Sequence, residues 1–272
     1  MRYVSDMQRE YLFDESHPIH RSNGSVIYKA HDVAFNRDVC LKILTCTGGD
    51  SLDRMKAEVT AQARAGNVCA NIPVPLDYFT AENGTVFCIV MQWIGGTSLR
   101  ASLPLMRARQ FVQHMIALCE ILQAIHGQHI WHKDIKPENI VLTPGGTLYL
   151  LDFNISIGRP NLRDGSECYR APEMSFTGIA TSREQADLFA VGVMLYEYFA
   201  KVVPQYGDHY ATRRFSDDTK WSYFRKPSEI VPTVPPAMDA IIEKCMARSP
   251  KDRYRRAQDL KNALKDASRN IR

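Results

Sequence analysis

The chain has 272 residues, of which 45% are hydrophobic and 24% charged, a composition typical of a globular protein with one large core or two smaller ones. Its net charge of +4 is too small to indicate a nucleic-acid-binding protein. The seven cysteines are dispersed and include no CxxC pair, which favours a cytoplasmic protein with reduced thiols. The sequence also has no apolar leader and no run of 18 apolar residues, so we expect neither export nor a membrane-spanning helix.

The first third of the chain predicts strands with one helix. Apolar or alternating runs predict strands over 25–30, 38–44, 74–80 and 85–94. The helix is predicted over 51–65. Glu82-Asn-Gly84 is a hairpin-turn sequence between the last two strands. Gly95-Gly96 follows them and is the best boundary between two lobes.

Helices dominate the rest of the sequence. The segment 107–126 carries apolar residues at alternating spacings of four and three, which predicts a helix with a buried face. Those residues are Phe111, Met115, Leu118, Leu122 and Ile125. Further helices are predicted from a capping box at Ser182 to about Ala200, over 238–246 and over 257–267. Thr143-Pro-Gly-Gly146 predicts a tight turn between two short strands.

The segment 131–142 carries the clearest chemistry. It reads Trp-His-Lys-Asp-Ile-Lys-Pro-Glu-Asn-Ile-Val-Leu, and Asp152-Phe-Asn154 follows ten residues later. A carboxylate, an amine and an amide thus lie within six residues, and a second carboxylate follows the next hairpin. Carboxylate and carbonyl oxygens suit Mg²⁺, which keeps few protein ligands beside phosphates. A plain polar turn is the alternative, because such turns often contain Asp, Asn and Lys.

Lys42 lies inside an otherwise apolar predicted strand. A buried amine needs a charged partner unless its long side chain reaches solvent. Glu58, on the helix that follows, is the best candidate, although Asp53 shares that helix.

These segments, together with Gly165-Ser-Glu-Cys-Tyr-Arg-Ala-Pro-Glu173, resemble in order and spacing the eukaryotic-type protein kinase family. The resemblance covers about residues 19 to 268. It implies an α+β, bilobal fold, with a small β-rich N-lobe containing one helix over 19–94 and a larger, mainly α-helical C-lobe over 95–272. Residues 1–18 would be an N-terminal extension.

The resemblance implies a serine/threonine protein kinase that transfers the γ-phosphate of ATP to a hydroxyl of a protein substrate. Asp134 would accept the proton of that hydroxyl. Lys136 would contact the transferred phosphoryl group, and Ser166 would bridge Asp134 and Lys136 by hydrogen bonds.

It also implies how ATP and Mg²⁺ would be held. Asn139 and Asp152 would bind Mg²⁺, and Lys42, paired with Glu58, would contact the phosphates. Residues with structural roles would be His132, Phe153, Glu173, Asp187 and Arg253, with Glu173 and Arg253 forming a buried ion pair.

The ATP-binding residues implied by the resemblance lie mainly in the first lobe. They are Ile19, Ser22, Gly24, Ser25, Ile27, Cys40, Lys42, Met91, Gln92, Ile94 and Val141. Met91 takes the gatekeeper position, and the backbone of Gln92 and Ile94 would bond the base edge. Each apolar member of this set fits an ordinary core position as well.

The phosphate-covering loop departs from the family. The three family glycines fall on His20, Ser22 and Ser25, while Gly24 lies one position away. Glycines allow close backbone approach to phosphate and positive φ. A pseudokinase acting as a binding scaffold, with weak or no ATP turnover, is therefore the alternative function. A small-molecule kinase is a third, which the segment 165–173 disfavours.

Other departures concern regulation. Lys133 replaces an arginine that clamps an activating phosphate, and lysine lacks its bidentate fork. Residues 157–165 contain no Ser, Thr or Tyr, so we expect no need for phosphorylation there, with Asp164 serving as the anion. Asn154 replaces a glycine. Gln62 replaces an apolar residue. Unless its amide is hydrogen-bonded, a polar side chain there would make the ion pair of Lys42 and Glu58 intermittent.

Overall fold

The computed structural model describes residues 1–22, 24–45, 49–152, 168–175, 183–204 and 225–271. The chain separates into two units. The first comprises Met1–Gly96 and Thr143–Gly158, and the second comprises Thr97–Leu142 and Arg159–Arg272.

An antiparallel sheet of seven strands builds the first unit. The strands are β1 (Arg2–Val4), β2 (Glu10–Phe13), β3 (His20–Ser22), β4 (Ser25–Asp32), β5 (Arg37–Thr45), β6 (Pro75–Ala81) and β7 (Val86–Gln92). Their spatial order is β1-β2-β4-β5-β7-β6, with β3 paired to β4. Helix α1 (Gly49–Val68) connects β5 to β6. The four strands and the helix predicted in this region are present.

The two faces of this sheet have different partners. Val39 and Leu41 of β5 are fully buried, on the face that forms the larger apolar core with residues of β2 and β4. Because side chains alternate along a strand, Cys40 and Lys42 lie on the opposite face. That face packs against α1 through Val59. Lys42 is thereby placed beside the helix that carries its predicted partner.

Residues 1–18, expected to be an extension, supply two strands of the sheet. Tyr11 of β2 is fully buried, and its ring stacks on Phe79 with the centroids 5.8 Å apart. Its hydroxyl donates to Asp77 Oδ2 at 2.8 Å. Arg9 donates to the fully buried Asp32 at 2.6 Å. The N-terminal segment is therefore part of the core of the first unit.

The second unit is mainly helical. A short strand β8 (Thr97–Ser98) pairs with β9 (Ile140–Leu142). The helices are α2 (Leu99–Ser102), α3 (Ala108–His126), α4 (Arg183–Ala200), α5 (Pro227–Ile230), α6 (Pro236–Cys245) and α7 (Ala257–Ser268). Helix α3 packs on α7, and α4 packs on α6. All five apolar residues predicted to form the inner face of α3 are fully buried, which confirms that prediction.

After β9 the chain enters the first unit again, at Thr143. Gly146 closes the predicted turn at φ +79°, where its N–H donates to the carbonyl of Thr143. Strand β10 (Leu148–Leu150) follows. Asn71 accepts the N–H of Leu150 at 2.9 Å and donates its side-chain amide to the carbonyl of Leu148 at 2.8 Å. These bonds fix the strand that leads to Asp152.

We expect Tyr11→Ala to lower the free energy of unfolding by about 4 kcal/mol, because it removes a fully buried aromatic ring. Leu12→Ala, at the neighbouring position that is 41% exposed, should change it by less than about 1 kcal/mol. Urea denaturation followed by circular dichroism measures both. Equal effects of the two substitutions would contradict the integral role of β2.

Candidate active site

Two predicted catalytic residues and one predicted Mg²⁺ ligand meet in the loop between α3 and β9, within the second unit. Lys136 Nζ lies 2.9 Å from Asp134 Oδ2. The side-chain amide of Asn139 donates to the backbone carbonyl of Asp134 at 2.8 Å and to its Oδ2 at 3.0 Å. Both amide hydrogens of Asn139 are thus directed at Asp134, and its amide oxygen is the atom suited to a cation.

The start of this loop is held by Asp187 of α4, a buried carboxylate. Its Oδ1 accepts the N–H of Lys133 at 2.8 Å, and its Oδ2 accepts the N–H of His132 at 3.0 Å. The ring of His126 lies 2.9 Å from the same Oδ2. Burial opposes ionisation of Asp187, but His126 and the backbone donor outweigh it and lower its pKa. Lys133 is held at φ +67°, a conformation that costs energy for a non-glycine residue.

A second group of predicted residues meets in the first unit around Lys42. Lys42 Nζ donates to Glu58 Oε1 at 2.9 Å and also contacts Asp152 Oδ1. Burial opposes the charge of Lys42, but the two carboxylates outweigh it and raise the pKa of the amine. Burial raises the pKa of Glu58 against the opposing effect of Lys42. Asp152 adopts φ +59°, which is uncommon for aspartate.

The predicted nucleotide-contacting residues of β4, β5 and β7 share the sheet face of Lys42. Ile27 is paired with Lys42 across the strands, and Cys40 is paired with Met91. Burial and the nearby Asp152 raise the pKa of the Cys40 thiol to about 12, so it remains a neutral group.

The other predicted ATP-binding residues lie in several different elements. Ile19 donates its N–H to the carbonyl of Ile27, but its side chain is 52% exposed. The N–H of Gln92 donates to the carbonyl of Val74. Ile94 is half-buried after β7. Val141 lies in the second unit, on β9.

In the predicted phosphate-covering loop, β3 and β4 are antiparallel neighbours. Ser22 pairs directly with Ser25 across β3 and β4, and Gly24 adopts φ +89° between them. The glycine one position away from the family pattern thus serves the turn itself, because positive φ is unstrained only for glycine.

Gln62 has a hydrogen-bond partner. Its side chain is buried and donates to the carbonyl of Pro73 at 2.8 Å. The pair of Lys42 and Glu58 is formed beside it. Because the amide is satisfied, Gln62 anchors α1 to the segment before β6.

The predicted ion pair of Glu173 and Arg253 is present and fully buried. Both guanidinium N–H groups donate to the carboxylate at 2.7 Å in a bidentate arrangement. Arg253 also donates to the carbonyl oxygens of Ala247, Gln185 and Arg248. A buried charge with this many partners is fully compensated.

Some predicted features lie outside the described residues. They are Phe153, Asn154, Asp164, Ser166 and the capping residue Ser182.

The sequence analysis missed a polar cluster in the second unit. It comprises Arg100 of α2, Glu138 of the loop between α3 and β9, Tyr169 and Glu197 of α4, and we call it the Arg100 cluster. Its members are 38 to 97 residues from Arg100 along the chain. The only sequence signal is that Arg100 is the one charged residue of the short helix α2, and this signal is weak.

Residues 14–264 match the family described as Protein kinase domain. The chain belongs to the protein kinase family. Strands β1 and β2 precede the matched part of this kinase domain.

Curated relatives of this kinase domain include two proteins of Mycobacterium tuberculosis. Serine/threonine-protein kinase PknD is 34% identical over 262 residues, which cover 91% of this chain and 38% of PknD. Serine/threonine-protein kinase PknE is 30% identical over 249 residues, which cover 87% of this chain and 43% of PknE. The chain therefore spans about two-fifths of the length of these relatives. Both are named serine/threonine-protein kinases, which is the enzyme class predicted from the sequence.

Solved structures support the fold. A double mutant of the Mycobacterium tuberculosis PknI kinase domain superposes with a TM-score of 0.72 at 20% identity, covering 95% of each chain. The predicted family and fold class are confirmed. Across the described residues no helix of this kinase domain is long and apolar enough to cross a membrane.

We expect Asp187→Asn to destabilise the protein by about 2 kcal/mol at pH 7, because it removes a buried charged acceptor of backbone N–H groups. The folded-state pKa of Asp187 is lowered, so its stabilisation is present above about pH 4, near the unfolded pKa. It is lost as the pH falls through the folded pKa. The difference between wild type and variant should therefore shrink below about pH 4.

Urea denaturation at pH 7, 5, 4 and 3 measures this difference. Asp266→Asn, at an exposed carboxylate, is the matched control and should show none. A difference that is constant with pH would show that Asp187 does not act through its charge.

Proposed function

We propose that this chain is an active serine/threonine protein kinase that transfers the γ-phosphate of ATP to a hydroxyl of a protein substrate. The observation that carries the proposal is the contact of Asp134 with both Lys136 and Asn139 within one loop. A purely structural turn has no need of a half-buried amine directed at a carboxylate. Phosphoryl transfer needs such an arrangement, because its catalysis depends on positioning and charge neutralisation.

In the proposed reaction Asp134 orients the substrate hydroxyl and accepts its proton. The hydroxyl oxygen forms a bond to the γ-phosphorus as the bond from that phosphorus to the β–γ bridging oxygen breaks, and ADP leaves. Lys136, 2.9 Å from Asp134 Oδ2, supplies positive charge beside the transferred group. Ser166 is proposed, by resemblance alone, to link these two residues.

The Lys42 group is proposed to hold the triphosphate. Glu58 fixes the position of the Lys42 amine, which stays protonated because two carboxylates lie against it. By resemblance, Asp152 and Asn139 are proposed as the Mg²⁺ ligands, and their donor types, a carboxylate and an amide oxygen, suit that hard cation. Bound there, Mg²⁺ would neutralise phosphate charge.

The adenine is proposed to lie against the sheet face shared by Ile27, Cys40 and Met91. Because the N–H of Gln92 donates to the carbonyl of Val74, it is the carbonyl of Gln92 and the backbone of Ile94 that are proposed to meet the base edge. Ile19, Ser22, Gly24, Ser25 and Val141 complete the proposed set, with Lys42 at the phosphates.

Autophosphorylation with labelled Mg·ATP, followed by phosphoamino-acid analysis, tests the proposal. Wild type should form phosphoserine or phosphothreonine. Asp134→Asn should lower the rate by about a thousandfold, within the range for removing a general base, and leave the fold intact by circular dichroism. Asp266→Asn, the same change at an exposed carboxylate, should leave the rate unchanged.

Two other outcomes would reject the proposal. A wild-type protein stabilised by Mg·ATP in thermal-shift measurements, yet without phosphate transfer, would be a pseudokinase scaffold. Full activity in a clean Asp134→Asn preparation would remove Asp134 from the reaction.

A further inference from the structure

The Arg100 cluster joins four elements of the second unit through one guanidinium. Arg100 donates Nε to Glu138 at 2.7 Å, one terminal N–H to Glu197 at 2.5 Å and the other to the Tyr169 hydroxyl at 2.5 Å. Tyr169 in turn donates to the second oxygen of Glu197 at 2.5 Å. Both carboxylate oxygens of Glu197 therefore accept hydrogen bonds from within the chain.

The cluster is acidic and partly open to solvent. It contains two carboxylates and one guanidinium, so its formal charge is −1. The side chain of Glu138 is 44% exposed and that of Arg100 is 37% exposed, whereas Glu197 is mostly covered. Without Arg100, two carboxylates that share one cation would stand together at an accessible surface. Such a pair attracts a basic side chain and can hold a guanidinium by several N–H groups.

The cluster lies next to the proposed site of phosphate transfer. Glu138 is four residues from Asp134, in the same loop, and is followed by the buried Asn139. Tyr169 lines, together with Asp134, a cavity at this loop. A polypeptide whose hydroxyl reaches Asp134 would therefore pass close to Glu138 and Tyr169.

We propose that Arg100 is a specificity-determining residue whose guanidinium fills the acidic pair of Glu138 and Glu197 and thereby prevents this kinase from selecting substrates with a basic residue near the phosphorylated hydroxyl. The inference rests on the proposed function. An arginine of a substrate has to compete with a guanidinium that is tethered in place at high effective concentration. Substrates without basic residues do not meet this competition.

Peptide binding without nucleotide tests the proposal independently of catalysis. The probes are fluorescein-labelled, neutral ten-residue peptides with one serine, in which a single arginine is moved through the positions on either side. The same peptide with glutamine in place of arginine is the reference. Fluorescence anisotropy in 150 mM salt gives the ratio of the two dissociation constants.

Wild type should bind the arginine and glutamine peptides within about threefold at every position. Arg100→Ala should bind the arginine peptide at least about tenfold more tightly at one or two positions. Adding Glu138→Gln to that variant should reduce the gain. Arg100→Gln keeps most of the stem and should behave like Arg100→Ala, which covers the case in which the alanine variant fails to fold.

Wild type that already prefers an arginine peptide tenfold would overturn the proposal, as would folded Arg100 variants that gain no preference or bind no peptide. A role limited to tying α2 to α4 predicts lower stability in the variants without a new preference. Absence of phosphate transfer by wild type would reject the proposed function, but the binding ratios would still decide the role of Arg100.

Discussion

The shape of the loop between α3 and β9 depends on a carboxylate that is almost entirely removed from water. Asp187 accepts two consecutive backbone N–H groups and holds Lys133 in a left-handed conformation. The loop to Asn139 begins from this fixed point. The same constraint recurs elsewhere, because a buried charge is stable only with partners. It accounts for the carboxylates around Lys42 and for the bidentate pair of Glu173 and Arg253.

This constraint also explains which parts of the site could be predicted from the sequence. A lysine in an apolar strand requires an acid nearby, and the helix after that strand offers Glu58. The long helix α3 could be predicted because its apolar positions repeat over about four turns. The role of Gly24 could not be predicted by aligning the sequence with the glycine positions of the family, since the hairpin uses this glycine for its own turn.

Contacts between distant segments that carry neither a periodic signal nor a family motif could not be predicted. Strands β1 and β2 have three and four residues, which is too short for alternation to be recognised. Tyr11 owes its burial to Phe79 and Asp77, far along the chain. The Arg100 cluster combines three ordinary charged residues and a tyrosine from α2, α4 and two loops. Each of them alone is typical of a solvated surface.

The hydrogen bonds between Asn71 and β10 make the first unit discontinuous in sequence. A fragment that stopped at the paired glycines 95 and 96 would contain all seven strands of the large sheet and the amine of Lys42. It would still lack the returning strand, and with it the second carboxylate that contacts this amine. Cutting the chain after residue 96 would therefore yield an incomplete first unit. A complete first unit would also have to include the segment that begins at residue 143.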